Sequence, residues 1–106
     1  MTVFNDRERE FEAKFAHDQE LGFRVKTRRN GLLGYWAAEH LGIDPKAAQE
    51  YALATIDAQF HPHGDDSVVA KLVADFAAKG AGIDEVRVRD EAQRLLSIAK
   101  KQIMAV

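Results

Sequence analysis

The densest group of metal-binding side-chain types in this sequence is His-Pro-His-Gly-Asp-Asp, at residues 61–66. Its two imidazoles and two carboxylates are chemically adequate ligands for zinc, nickel or copper. The same residue types also make an ordinary loop followed by an acidic helix cap, which is the interpretation we favour. The alternative is a metal site whose candidate ligands are His61, His63 and Asp65.

A second candidate is the basic run at residues 26–30, whose cations have the charge to bind phosphates of a nucleotide or a nucleic acid. The net charge of −2 argues against nucleic-acid binding. The glycines of residues 31–34 lack the length and the lysine of a phosphate-binding loop. We expect these arginines to pair with acids of a neighbouring helix. The alternative is a weak nucleotide site formed by Lys26, Arg28 and Arg29.

Catalytic chemistry finds little support in the residue types. The chain has no cysteine, which excludes disulfides, thiolate nucleophiles and Cys-based zinc sites. Neither Ser67 nor Ser97 has a matched base beside it, and a cap and a helix surface explain them. We therefore predict a non-enzyme without a cofactor. Because no apolar run approaches the ~20 residues of a membrane span and charges begin at residue 6, we also expect a cytoplasmic protein.

Three breaks divide the chain into four helical segments. Gly42 can close the first segment, and Asp44 followed by Pro45 predicts the start of the second. Residues 61–66 form the second break, with an acidic cap for the third segment. Gly80 and Asp84 form the third break in the same manner as the first.

Between the breaks, apolar residues recur with helical period, which predicts an all-α fold, a small four-helix bundle. The predicted buried faces are Leu21, Val25, Leu32 and Trp36, broadened by Leu33, Ala37 and Leu41, in the first segment; Ala48, Ala52, Leu53, Ile56 and Phe60 in the second; Val68, Val69, Leu72, Val73 and Phe76 in the third; and Val88, Ala92, Leu95, Leu96, Ala99 and Ile103 in the fourth.

A separate stripe of Phe4, Phe11 and Phe15 precedes the first face and is rotated from it by about 80–100°, with Gly22 at the change of phase. Burying three phenyl rings contributes about 5–9 kcal/mol. Ordering some fifteen residues costs about 15–30 kcal/mol before hydrogen bonds offset part of it. We therefore predict a flexible or extended helical arm at residues 1–18, ordered by a partner, and a four-helix domain at residues 19–106. The alternative is that the rings fold back onto the core.

Residues 4–21, FNDREREFEAKFAHDQEL, resemble the N-terminus of the zeta subunit family, inhibitors of the F-type ATP synthase in alphaproteobacteria. The similarity continues through Arg28-Arg29-Asn30, Leu32-Leu33-Gly34-Tyr35-Trp36-Ala37-Ala38-Glu39 and Leu41-Gly42, and more loosely through Gly64-Asp65-Asp66 and the fourth helix. It therefore covers nearly the whole chain. The sequence departs from the family pattern at Asn5, Gly22 and Gly31.

The resemblance implies a four-helix protein whose N-terminal segment enters a catalytic interface between alpha and beta subunits and blocks rotation during ATP hydrolysis. It implies the alpha, beta and gamma subunits as partners, a location peripheral to the membrane through the ATP synthase, and a monomer when free. The implied partner-binding residues are Phe4, Asp6, Arg7, Glu8, Phe11, Glu12, Lys14 and Phe15. The alternatives are a metal- or nucleotide-binding helical regulator, or a family member that has lost inhibition.

Overall fold

The fold is all-α. The structure, a computed structural model, describes the backbone of residues 2–104 and the side chains of residues 18–104. It consists of helices α1 (Thr2–Leu41), α2 (Pro45–Ala58), α3 (Asp65–Lys79) and α4 (Glu85–Met104), with no strand among these residues. The predicted four-helix architecture is confirmed. The division into an arm at residues 1–18 and a domain at 19–106 stays a prediction, because the arm lies almost entirely outside the described side chains.

The helix boundaries follow the local signals of the sequence, with one exception. Gly42 and Gly80 adopt φ of 71° and 69°, the left-handed conformation that glycine takes without steric penalty. The Asp44 carboxylate accepts a 2.8 Å hydrogen bond from the Lys46 amide, and that of Asp84 accepts a 3.0 Å bond from an amide in the first turn of α4. The acidic cap predicted for α3 is wrong, because Gly64 occupies the cap position without a side-chain hydrogen bond.

Helix α1 is the centre of the bundle, since it packs against all three other helices and its contacts with α2 and α4 are by far the most extensive of any helix pair. Its most buried apolar residues are Leu33, Ala37 and Ala38. The predicted faces of α3 and α4 are confirmed, and both contribute fully buried residues such as Leu72 and Val88. The predicted face of α1 is confirmed at Val25. The most buried apolar part of α1, however, is formed by Leu33 and Ala37, which were predicted only to broaden that face. The reason is that a helix with three neighbours buries a wider part of its circumference than a single periodic stripe covers. The central cluster comprises Leu33, Ala37, Leu41, Ala58, Val68, Val69, Leu72, Phe76, Val88, Ala92 and Leu95.

The predicted face of α2 is wrong at Leu53 and Phe60, which are 53% and 66% exposed. The residues that α2 buries are the small Ala52, Thr55 and Ala58. The reason is Gly34 on α1: a Cβ atom there would lie 2.7 Å from the Ala52 Cα atom. Glycine thus allows the two backbones to approach closely, and at such a contact small side chains fit where large ones do not.

Among the residues that the structure describes, no helix combines the length and the apolar character needed to cross a lipid bilayer.

Candidate partner-binding surface

The eight partner-binding residues implied by the resemblance all precede residue 18. Phe4, Asp6, Arg7, Glu8, Phe11, Glu12, Lys14 and Phe15 therefore lie outside the described side chains. The part of α1 that adjoins them begins with an exposed ion pair between Glu20 and Arg24, whose side-chain atoms are 2.8 Å apart. Glutamate four residues before arginine is the favourable order for such a pair on a helix. The described surface of α1 therefore starts polar, and the exposed Phe23 lies between the two residues of this pair in the sequence.

An apolar groove lies between α1 and α2, with Ile103 of α4 also in its lining; we call it the α1–α2 groove. Its volume is about 440 Å³. The groove exists because Gly31 and Ala52 carry little or no side chain on the facing sides of the two helices, while larger residues form the walls. The lining residues are Phe23, Arg24, Thr27, Arg28, Gly31, Leu32, Tyr35, Gln49, Ala52, Leu53, Ile56 and Ile103.

Large apolar side chains remain exposed along this groove. Phe23 and Leu53 are each 53% exposed, and Tyr35 is also exposed. The Phe23 ring contacts the ring of Phe60, with centroids 6.1 Å apart and planes inclined by 53°. Single exposed apolar residues are common on protein surfaces, whereas a contiguous group of them is typical of an interaction site. This group is the most distinctive apolar surface of the described residues.

Among residues 18–104, the charged residues that line the α1–α2 groove are two arginines. Arg24 pairs with Glu20, and the Arg28 Nε atom donates a 2.6 Å hydrogen bond to the amide oxygen of Gln102 on α4. The Gln102 side chain is neutral, so the charge of Arg28 is not compensated by that partner. The groove is therefore apolar along its floor and positive along one edge.

Next to the groove, at its lining residue Thr27, a polar network joins three helices. Asn30 is fully buried, accepts a 2.8 Å hydrogen bond from Arg29 Nε and donates one of the same length to the Gln59 amide oxygen. Gln59 Nε2 donates to the Thr27 hydroxyl at 2.9 Å, and Arg29 Nη2 donates to Asp65 Oδ1 at 2.8 Å. Because buried polar groups need partners, this network holds α1 in register with α2 and α3.

The same contacts decide how the basic run is used. Arg29 is buried against Asp65, and the Lys26 ammonium lies 3.7 Å from the other oxygen of that carboxylate. Arg28 is directed instead to α4. The expected pairing of an arginine with an acid of a neighbouring helix is confirmed for Arg29. Of the three candidate nucleotide-binding residues, Asp65 engages Lys26 and Arg29, whereas Arg28 bonds to Gln102.

The candidate metal ligands are likewise dispersed. His61 and His63 are exposed, and Asp65 accepts the hydrogen bond of Arg29. Within residues 18–104, no three histidine or acidic side chains are close enough together to hold a metal ion. The segment is a loop and the first turn of α3.

A second, partly buried polar cluster lies between α2 and α3. The Tyr51 hydroxyl donates a 2.6 Å hydrogen bond to Asp75 Oδ2, which also accepts one of 2.8 Å from Lys71 Nζ. Burial, the hydrogen bond and the nearby carboxylate charge together raise the pKa of the Tyr51 hydroxyl far above its ordinary value. Burial alone would raise the pKa of Asp75, but the hydrogen bonds from Lys71 and Tyr51 and the lysine charge outweigh it and lower that pKa. The Tyr51–Asp75 hydrogen bond thus links α2 to α3.

Sequence reasoning missed the groove residues Phe23 and Leu53, and also Phe60, whose ring contacts that of Phe23. Leu53 and Phe60 were assigned to the core because they have helical spacing with Ala52 and Ile56. Phe23 belongs to neither predicted stripe of the first helix, and a large aromatic residue out of phase with every buried face is itself a signal of an exposed apolar site.

Comparison with known proteins gives one family. The family model described as ATPase inhibitor subunit zeta matches residues 1–102, which include the N-terminal segment and all but the end of α4. No individually curated protein matches the chain significantly.

Proposed function

Because this chain belongs to the ATPase inhibitor subunit zeta family, we propose that it inhibits an F-type ATP synthase by inserting residues 1–18 into a catalytic interface between an alpha and a beta subunit. The observation that carries the proposal is that the family match begins at residue 1 and so includes the whole of this segment. The inhibitor needs no chemistry of its own, because it acts as a steric wedge.

In this mechanism the three phenylalanines of the segment anchor in apolar pockets, and the charged residues between them select the register. Aromatic side chains commonly supply most of the binding free energy of an interface, whereas complementary charges supply orientation and specificity. The wedge holds one catalytic interface closed. The gamma subunit then cannot complete its rotation during ATP hydrolysis. The anchors are Phe4, Phe11 and Phe15; the selecting charges are Asp6, Arg7, Glu8, Glu12 and Lys14.

The buried polar groups of the described body are satisfied within the protein itself. Within residues 18–104, no buried side-chain nitrogen or oxygen lacks a hydrogen-bond partner. A body whose polar groups are satisfied internally does not depend on a ligand to complete its core. Such an inhibitor works at the cytoplasmic side of the membrane, held there through the ATP synthase.

The test replaces the three anchors by alanine in the full-length protein. Phe4→Ala, Phe11→Ala and Phe15→Ala together should raise the concentration needed for half-inhibition of the isolated catalytic head by at least ~30-fold, as expected for loss of anchor residues. The matched control is Val86→Ala, which truncates an apolar residue that is 66% exposed at the start of α4. Thermal unfolding followed by circular dichroism checks that each variant is folded.

Unchanged inhibition by the triple variant would exclude the wedge. Deletion of residues 1–18 gives a second measure, since the remaining chain should keep its helical content and lose inhibition. A chimera that carries residues 1–18 of this protein on the body of a proven inhibitor tests whether the segment has lost its activity. The chimera inhibits if the segment is active, and it does not inhibit if this protein is a family member that has lost inhibition.

A further inference from the structure

We propose that the α1–α2 groove is a second docking site for the ATP synthase head, and that it binds an amphipathic helix of that partner with an apolar ridge flanked by acidic residues. This inference rests on the proposed function, which it extends from the N-terminal segment to the body of the protein.

The first argument is the exposure of the groove walls. The wall residues Phe23 and Leu53 are each 53% exposed, and Phe60, whose ring contacts that of Phe23 next to the groove, is 66% exposed. None of the three lies in the central cluster of buried residues. Their exposed apolar surface is available for a partner, and its removal from water would favour association.

The second argument is shape. The groove extends along α1 from Phe23 to Tyr35, twelve residues or about 18 Å at 1.5 Å per residue. An open apolar groove between two helices, about three helical turns long, fits one face of a third helix whose apolar residues recur every three or four positions. Because Gly31 has no side chain and Ala52 has a single methyl group, the floor of the groove leaves room for the side chains of that ridge.

The third argument is charge. Among the described residues that line the groove, the charged ones are Arg24 and Arg28, and none is acidic. Glu20 compensates Arg24, but the Gln102 amide on Arg28 is neutral. A partner helix with carboxylates beside its ridge would meet this positive edge, whereas a basic helix would be repelled.

The fourth argument is position along the chain. Phe23 follows residue 18, where the predicted inhibitory segment ends, by five residues of the same helix, or about 7.5 Å. A partner that holds residues 1–18 therefore has its surface next to the groove. The two contacts would act together, since binding of one raises the effective concentration of the other.

The experiment measures binding of the full-length protein to the isolated catalytic head by fluorescence anisotropy. Leu53→Glu places a charge on the groove wall, and Val86→Glu makes the same change at an exposed apolar residue outside it. We expect Leu53→Glu to raise Kd at least ~10-fold and Val86→Glu to leave it unchanged. Arg28→Glu should also weaken binding, most strongly at low salt. Both groove variants should still inhibit fully at saturating concentration, because the inhibitory segment is intact.

Binding of Leu53→Glu with the wild-type Kd would overturn the proposal, whether or not the protein inhibits. If the wild-type protein does not inhibit but its binding depends on Leu53, the proposed function fails and the groove proposal stands. Sedimentation velocity of the free protein tests whether a second copy of this chain occupies the groove. If the free protein is a dimer that Leu53→Glu converts to a monomer, and binding to the catalytic head is unchanged, the proposal is also overturned.

Discussion

Replacement of Gly34 by alanine should destabilise the bundle, although glycine is a poor helix former. In an exposed helix the change from glycine to alanine stabilises by about 1 kcal/mol. At this position the added Cβ atom would lie 2.7 Å from the Ala52 Cα atom and 2.9 Å and 3.0 Å from the Thr55 Oγ1 and Cβ atoms. The nearest of these is backbone. The Thr55 hydroxyl is held by its 2.9 Å hydrogen bond to the Tyr51 carbonyl oxygen.

The magnitude follows from these distances. Carbon atoms in optimal contact are about 3.5–4.0 Å apart, so α1 and α2 must separate by about 0.8 Å. A gap of that size forfeits a quarter to a half of the attraction between the facing atoms, and overpacking costs about 1–3 kcal/mol. Because the nearest atom here is backbone and cannot rotate away, we take the upper half of that range, about 2–3 kcal/mol. After the gain in helix propensity is subtracted, we expect Gly34→Ala to lower the free energy of unfolding by about 1–2 kcal/mol.

Two other glycines of α1 provide matched controls. A Cβ atom at Gly31 would meet only the Ile56 Cδ1 atom, at 3.4 Å, and one at Gly22 would meet nothing within 4 Å. The tip of an isoleucine side chain can move aside at little cost. Gly31→Ala and Gly22→Ala should therefore leave the free energy of unfolding unchanged or raise it by up to about 1 kcal/mol.

The assay is urea unfolding at equilibrium, followed by far-ultraviolet circular dichroism and by the emission of Trp36. The urea midpoint should fall by about 1 M for Gly34→Ala, at a typical m-value of 1–3 kcal/mol/M, with the slope unchanged. The reasoning is refuted if Gly34→Ala unfolds at the wild-type midpoint or above it, or if all three variants shift in the same direction.

Two further predictions concern the polar clusters. Because the pKa of the Tyr51 hydroxyl is raised in the folded state, its contribution to stability is complete below the ordinary tyrosine pKa of 10.0 and is lost above it, as the unfolded chain ionises. A Tyr35→Phe variant keeps Tyr51 as its single tyrosine, so its absorbance at 295 nm reports the ionisation of Tyr51 alone. Tyrosinate should therefore appear only together with loss of helical circular dichroism. Tyrosinate in a fully helical protein near pH 10 would contradict this. Asn30→Ala should lower the free energy of unfolding by about 2–3 kcal/mol, because it leaves buried groups of Arg29 and Gln59 without partners. Gln102→Ala, which removes an exposed hydrogen bond, should change it by less than about 0.5 kcal/mol in the same urea assay, and equal effects of the two would contradict the importance of the buried network.

The helix boundaries were predictable because they depend on short-range chemistry. Gly42, Asp44 and Pro45 satisfy backbone requirements that hold wherever a helix ends or starts, and the structure uses them in that manner. The cap of α3 was not predictable from the same rule. Aspartates 65 and 66 fit the cap by type, but the chain turns at Gly64 and leaves both acids in the first turn, where the helix dipole also favours them.

The face of α2 was not predictable from period alone. A periodicity argument assigns the most apolar residues to the buried face, so it predicts that Leu53 is buried and Thr55 is exposed. The structure reverses this assignment, because the distance between α1 and α2 is set by Gly34 on the other helix. A pairing of small residues across two segments distant in sequence is information that one amphipathic pattern does not contain. The exposed groove follows from the same reversal.

The polar network at Arg29 and Asn30 was partly predictable. An arginine that falls near an apolar stripe must reach a carboxylate or the surface, which favoured pairing with an acid. The particular acid, Asp65, lies 36 positions away, and its identity depends on how α3 is placed. The partner-binding residues before residue 18 remain a prediction from resemblance, and the alanine variants above are their test.

The network around Arg29 and Asn30 also has a mechanical consequence. The α1 ends of the bonds to Asp65 and Gln59 are the adjacent residues Arg29 and Asn30, and the other ends belong to two different neighbours of α1. A pull along the axis of α1 would therefore load both bonds together and not one after the other. Drawing α1 out of the bundle would thus require several hydrogen bonds to break at once.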